Sequence, residues 1–575
     1  SDVQIKKVIE WIETESYHED RVSDDPVVQE KYLAYHKREW LSALIPKGDP
    51  EVEALYTKYQ SINPAEIQHP GRSFVIEHLS GTVSPISVED LLDKTNEEIT
   101  EYLNNFRGDE HGPDISSHSL CEIFRACIVE NPHKFVQNLD PFLNLKRLYQ
   151  YEFFLGLSEA WRKEKNFKWA GIFRFINSIL ESEEFWTEIY NEGKSHYRNW
   201  IISRIADLIE EGTKKDSHLF ELELLPEAEK ILLLLAKRSE SDLFDSGDLV
   251  TSVLNSNKGN IYSAILNYSL CFARHYRKDS DIRWPDEIKS EFEKRLDPTV
   301  EPSVEFSVTL GKFLPNLCYL DKEWTLTNIN RIFPKDNEIH WNAAFTSYLF
   351  YSKIYKKIYT LLKENGHYSK AIETEFKDPH INENLVHHIF IAYLEGIENI
   401  SDENSLISQL LSAWNFKQIL ELIRFAKWYG QKVTPEKRQM ILPLWEIIFS
   451  KIILDEKNSD NMQLLSGLSD WICLVDDLTD ETCERLKISV KYIKSHDFGF
   501  IEELIRHSDK KPKCAGEIFL SMIEAGHFFD YQQKIIKRFV TILYEKGEKK
   551  IADAICNHYL HVGLDFLVPL YEQNQ

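Results

Sequence analysis

Three features of the sequence predict an all-α fold, an elongated α-solenoid of degenerate helical hairpins akin to tetratricopeptide or HEAT arrays, arranged in two or three sub-arrays. Apolar residues recur at spacings of three and four along most of the chain, the signature of helices with one buried face. Gly (21) and Pro (20) are scarce for 575 residues, whereas sandwiches, barrels and doubly wound sheets spend such residues on many tight turns. Capping residues stand before successive periodic runs. A chain this long exceeds one ordinary core, and Pro- and Gly-rich stretches near residues 80 and 300 divide it into segments 1–80, 81–300 and 301–575.

Taken in order, Ile5, Val8, Ile9 and Ile12 form a first stripe, and Asp25-Pro26 opens a second helix whose apolar face includes Tyr32, Tyr35, Trp40 and Leu44. Pro46, Gly48 and Pro50 precede a third helix with Val52, Leu55 and Tyr56. Ser87 to Asp90 and Thr95 to Glu98 have the spacing of capping boxes, in which an acid three residues on reaches back to the cap N–H. Helices are then expected over 145–161, 169–180 and 197–211, the last closed by Gly212. Pro285, Pro298, Pro302, Pro315 and Pro334 punctuate the next region. Residues 341–365 read as one long helix, and Gly366 begins its partner with a Gly-x-Tyr-x-x-Ala pattern like one helix start of a tetratricopeptide unit. Pro443 should kink or split the helix that Thr434 caps.

The stretch Thr251 to Lys278 combines all these signals. Asn255, Ser256 and Gly259 form a polar structural turn, and Ile261, Ala264, Ile265, Tyr268 and Phe272 follow as one buried stripe. Arg274, His275, Arg277 and Lys278 close the helix, where cations oppose the partial negative charge of free carbonyls.

Charge and motif content exclude several function classes. The net charge is -25, from 93 acidic and 68 basic residues, so the average surface repels phosphate backbones and anionic lipid, arguing against nucleic acid and membrane partners. No apolar run approaches the roughly 20 residues of a membrane span. The eight cysteines, Cys121, Cys127, Cys271, Cys318, Cys473, Cys483, Cys514 and Cys556, contain no CxxC pair and read as reduced thiols of a cytoplasmic protein. The chain starts at Ser1 without a leader, which reads as an excised region of a larger protein.

Nucleotide-binding, hydrolase, metalloprotease and dehydrogenase motifs are absent, so no catalytic residue, cofactor or metal is expected. Cys556, His558 and His561 lie close in sequence, but on a helix Cys556 and His558 diverge by about 200°. The remaining enzyme reading is a helical ribonuclease in which Arg72 would stabilise phosphate charge and His78 would move a proton. The basic clusters Arg274 to Lys278 and Lys510, Lys511 and Lys513 read first as solvated helix ends.

Three stretches, Ser84 to Phe106, Leu155 to Phe175 and Leu249 to Lys278, resemble the C-terminal helical region of large bacterial antiphage NTPases of the STAND class and of related sirtuin-like defence proteins. Where that pattern reads Leu-Asn-Ser-Val-Arg-Gly-Glu-Ala, this chain has Asn257, Lys258 and Asn260 in place of Val, Arg and Glu, which weakens any bidentate role of the arginine. The resemblance implies a non-catalytic sensor region that recognises a protein trigger, such as a phage protein, and relays binding to effector domains upstream in the same polypeptide. A generic assembly scaffold with a constitutive host partner is the alternative.

Overall fold

The structure, a computed structural model, describes residues 2–14, 26–45, 48–65, 67, 85–106, 117–187, 197–243, 248–493, 499–529 and 533–575. It is all-α. Among the described residues there is no strand, and one isolated bridge joins Ile282 and Asp321. The chain divides into two compact units, residues 1–90 with 105–123, and residues 91–104 with 124–575.

In the first unit the helices Asp2–Thr14, Pro26–Ser42 and Pro50–Ile62 enclose Ile9, Ile12, Ala34, Leu41, Val52 and Tyr59. The second helix turns Ala34, Arg38 and Leu41 inward and leaves Tyr32 exposed, because the Arg38 guanidinium donates to the carbonyls of Asn63 and Ala65. A buried charge is tolerated only when satisfied in this way, and periodicity counts it as polar.

The second unit is a helical-repeat solenoid. One row of helices runs through it, each packed on the next: Arg147–Arg162, Tyr197–Lys214, Asn257–Tyr276, Val304–Lys312, Glu338–Tyr351, Pro379–Leu394, Phe416–Gly430, Ser459–Ser469, Asp480–Ser489, Pro512–Glu524 and Lys549–His561. Such a ladder buries its core between neighbours in sequence. Its entry is fixed by a reciprocal capping box, in which Glu98 N–H donates to Thr95 Oγ1 at 3.2 Å and Thr95 N–H to Glu98 Oε2 at 2.7 Å. Where the row tightens, a Cβ on Gly311 would lie 2.0 Å from the carbonyl oxygen of Ala344, so only glycine lets the helices Val304–Lys312 and Glu338–Tyr351 meet backbone to backbone.

Four expectations are corrected. Residues 341–365 are two helices, Glu338–Tyr351 and Lys356–Glu364, because Ser352 turns extended after the first. Gly212 lies inside a helix that continues to Lys214, and it is small because the Trp169 and Phe220 rings pack over it. The central helix carries more than one buried stripe: Tyr262, Leu266, Ser269 and Cys271 are buried together with Ile261, Ala264, Ile265 and Tyr268, since other helices cover it on several sides. Finally, Cys483 and Cys514 form a disulfide between the helices Asp480–Ser489 and Pro512–Glu524, 31 residues apart in sequence. Sequence spacing cannot reveal a pairing made by helix packing, and Cys271, Cys318, Cys473 and Cys556 remain free thiols.

Candidate functional site

The central stretch is built for structure. Ser256 caps the helix Asn257–Tyr276, its Oγ accepting from Gly259 N–H at 3.1 Å and donating to the Val253 carbonyl at 2.9 Å. Asn255 ends the preceding helix Leu249–Leu254, with Nδ2 donating to the Thr251 carbonyl at 2.9 Å. Gly259 sits within the first helical turn rather than in the loop, and a Cβ there would stand 1.9 Å from the Val253 carbonyl oxygen.

Beneath this cap lies a buried ionic cluster. Lys258 Nζ donates to Glu301 Oε1 at 2.7 Å, and Arg295 donates to Glu301 Oε2 at 2.6 Å and to the Ala236 carbonyl at 2.9 Å. Tyr262 OH also donates to Glu301, as do the N–H and hydroxyl of Ser303. Burial alone would push the Glu301 carboxyl up, but hydrogen bonds from Lys258, Ser303 and Tyr262 outweigh it and hold the group at about 2. Lys258 thus has a structural partner in Glu301. The cluster is a structural tie that joins Lys258, Tyr262, Arg295 and Ser303 on one buried carboxylate.

Most members of the basic clusters that sequence singled out are likewise paired. Arg274 pairs with Asp216 at 2.8 Å, Arg277 with Asp286 at 2.8 Å, Lys510 with Asp477 at 2.5 Å, Lys511 with Asp480 at 3.5 Å and Lys513 with Glu517 at 3.8 Å. Cys556 is buried beside Tyr544, and His558 faces Glu524 at 3.9 Å. Among the described residues no group of three or more His, Cys, Asp or Glu is placed to hold a metal ion. Arg72 and His78, the ribonuclease pair, lie outside the described residues. Of the tryptophans, Trp161 and Trp169 are buried, Trp414 is half-buried beneath Lys451, and Trp200 is exposed against Tyr197 and Tyr151.

A different region has the opposite character. The break at Ser352 opens a groove of about 800 Å3 between the helices Leu314–Leu320 and Lys322–Ile332 on one side and the segment 351–361 on the other. Lys312, Lys322, Lys353, Lys356 and Lys357 line it, and no carboxylate among the described residues does. None of the five makes an ion pair among the described residues, although lysines elsewhere in this acidic chain repeatedly do. Tyr319, Tyr351 and Tyr355 stand exposed at the rim, and Pro315, Leu326, Ile358 and Leu361 supply an apolar floor. Lys312 is half-buried with its ammonium 5.1 Å from the Tyr351 ring centroid; burial pushes its pKa down, Glu210 opposing and Lys214 reinforcing the shift. Ser352 is 9% exposed, and its hydroxyl, in the groove wall, has no hydrogen-bond partner.

Sequence reasoning missed this groove, yet it left a trace. Lys322, Lys356 and Lys357 open their helices, where the helix dipole favours acids over cations. Three lysines against that preference are a signal of a role other than helix stability. Compared with protein-family models and with curated proteins, the chain matches none.

Proposed function

We propose that this chain is a non-catalytic recognition module, the sensor region of a larger bacterial antiphage protein, which binds a protein trigger in the cytoplasm and relays that event to effector domains upstream in the same polypeptide. The observation that carries the reading is a set of large aromatic side chains left in solvent: Trp200, Phe350, Tyr351, Tyr355 and Trp428 are between 37% and 55% exposed, whereas Trp169, Trp284, Trp341, Trp445 and Trp471 are fully buried. Exposed Trp and Tyr offer large apolar area at small entropic cost and are the residues on which protein interfaces concentrate their energy. A solenoid spreads such anchors over several repeats and suits a folded partner better than a small ligand. The three stretches that resemble antiphage proteins support the choice of trigger.

The test is a phage panel applied to bacteria expressing the full-length parent, followed by recovery of whatever this region holds. Protection is expected, with a phage protein bound only after infection, and Trp428→Ala with Tyr355→Ala should weaken both. Absence of protection together with a constitutively held host protein would replace the sensor by a scaffold.

A further inference from the structure

Resting on that reading but going beyond it to the chemistry of the partner, we infer that the groove between Lys312 and Leu361 receives an extended acidic segment of a protein, its carboxylates on the lysine rim and one apolar side chain on the floor. Three observations converge. First, Lys322, Lys353, Lys356 and Lys357 stand exposed around one groove with no carboxylate among its described lining residues, and only Lys312 has a carboxylate, Glu210, acting on it, in a chain carrying 93 acids against 68 bases. Self-repulsion of like charges is tolerated in a folded surface when the counter-charge arrives from outside. Second, the charges are all lysines. Mobile point charges follow a run of carboxylates of variable spacing, whereas a fixed bidentate partner would call for arginine.

Third, the floor is apolar, formed by Pro315, Leu326, Ile358 and Leu361, and three tyrosines border it. A volume of about 800 Å3 exceeds a single side chain and matches a short stretch of backbone with its substituents. The net charge of the whole chain therefore misdescribes this face: association here should weaken as salt rises because the chain's own cations, not its acids, meet the partner.

The experiment uses the full chain of 575 residues and a fluorescein-labelled heptapeptide in which six Glu or Asp residues flank a central Phe, read by fluorescence polarisation. Controls are the same peptide with Gln and Asn in place of the acids, and ATP as competitor. Saturable binding that falls with salt is expected for the acidic peptide only. The combined variant Lys322→Glu, Lys356→Glu, Lys357→Glu should weaken it by about tenfold or more, and Lys550→Glu, on an exposed site of the helix Lys549–His561, not at all. Unchanged melting of the triple variant shows that the fold persists. No binding up to about 1 mM, equal binding of the neutral peptide, undiminished binding by the triple variant, or displacement by ATP at lower concentration than by unlabelled acidic peptide would each overturn the inference. The sensor reading is separable: a full-length parent that still protects when the triple variant is introduced retains the sensor and loses the acidic segment, whereas peptide binding without protection does the reverse.

Discussion

Two sets of cations in the second unit obey opposite rules. Lys258 and Arg295 are buried around one carboxylate, Glu301, and have their charges cancelled by hydrogen bonds from inside the chain. Lys322, Lys353, Lys356 and Lys357 stand exposed around a groove with no carboxylate among its lining residues. The difference teaches that residue type does not assign role: the same ammonium is a structural tie where the fold supplies its counter-ion and an interaction element where it does not. It also reverses the first reading of the sequence, in which Arg274 to Lys278 and Lys510 to Lys513 were the conspicuous basic clusters. Those pair with acids such as Asp216 and Asp477, and the inconspicuous lysines do not.

The most severe way to break the comparison is to remove the shared carboxylate. Glu301→Ala leaves Lys258 buried without a counter-charge and Arg295 with Glu291 alone, and breaking one partner of a buried pair costs about 3–5 kcal/mol. Chemical denaturation followed by tryptophan fluorescence should show the second unit unfolding at markedly lower denaturant. A variant that melts with the wild type would mean that the cluster contributes nothing, and the contrast with the groove would lose one of its terms.

Acid sharpens the same comparison, because two kinds of buried group respond in different windows. Burial, with Lys335 and Lys370 adding to it, holds His367 at about 4; burial, partly offset by the Ser352 carbonyl and reinforced by His387, holds His388 at about 4; burial, aided by Arg506, does the same to His507. Their folded pKa values lie below the unfolded value near 6.5, so the unfolded chain binds more protons and stability present above pH 6.5 is lost as pH falls towards 4, by about 3 kcal/mol per histidine at the limit. Glu301, also depressed, contributes stability that is present above pH 4.5 and lost only as pH falls through about 2. Thermal melts between pH 7 and 3 should therefore fall first in the histidine window. His388→Gln, which keeps a polar group beside the Tyr368 hydroxyl 2.9 Å away, should flatten the fall between pH 6.5 and 4. A profile flat down to pH 4 would contradict the neutral buried histidines.

Much of the helical order was legible because its signals are local. The Thr95 and Glu98 box, the Ser256 cap and the glycine at Gly366 announce helix ends within a few residues, and the fold honours them. The division of residues 341–365 was not legible, since Phe350, Tyr351, Lys353, Ile354 and Tyr355 all fit a helix or an extended link, and packing on either side decides between them. The need for Gly259 was legible as a turn signal but misread in kind: the constraint is the Val253 carbonyl six residues back rather than a left-handed backbone. The groove was hidden for a stronger reason. Whether a lysine has a carboxylate opposite it depends on residues tens of positions away, as Arg274 and Asp216 show at a separation of 58, and periodicity carries no information about such partners.

The smallest effect is the most discriminating. Lys356 and Lys357 occupy the first turn of the helix Lys356–Glu364, which has no acidic residue there and no side-chain cap from Tyr355. If these lysines served the fold, reversing their charge would destabilise it. The helix dipole argues the other way: acids in the first turn interact favourably with the free N–H groups, typically by about 0.3–1 kcal/mol. Reversal also relieves repulsion with Lys353 and Lys322 across the groove. Lys356→Glu with Lys357→Glu is therefore expected to leave the melting of the second unit unchanged or to raise it slightly, in low salt more than in high, while the acidic peptide is lost. A drop of more than about 1 kcal/mol, outside the range usual for surface substitutions, would show that the groove lysines are structural after all, and that the two sets of cations differ in exposure but not in purpose.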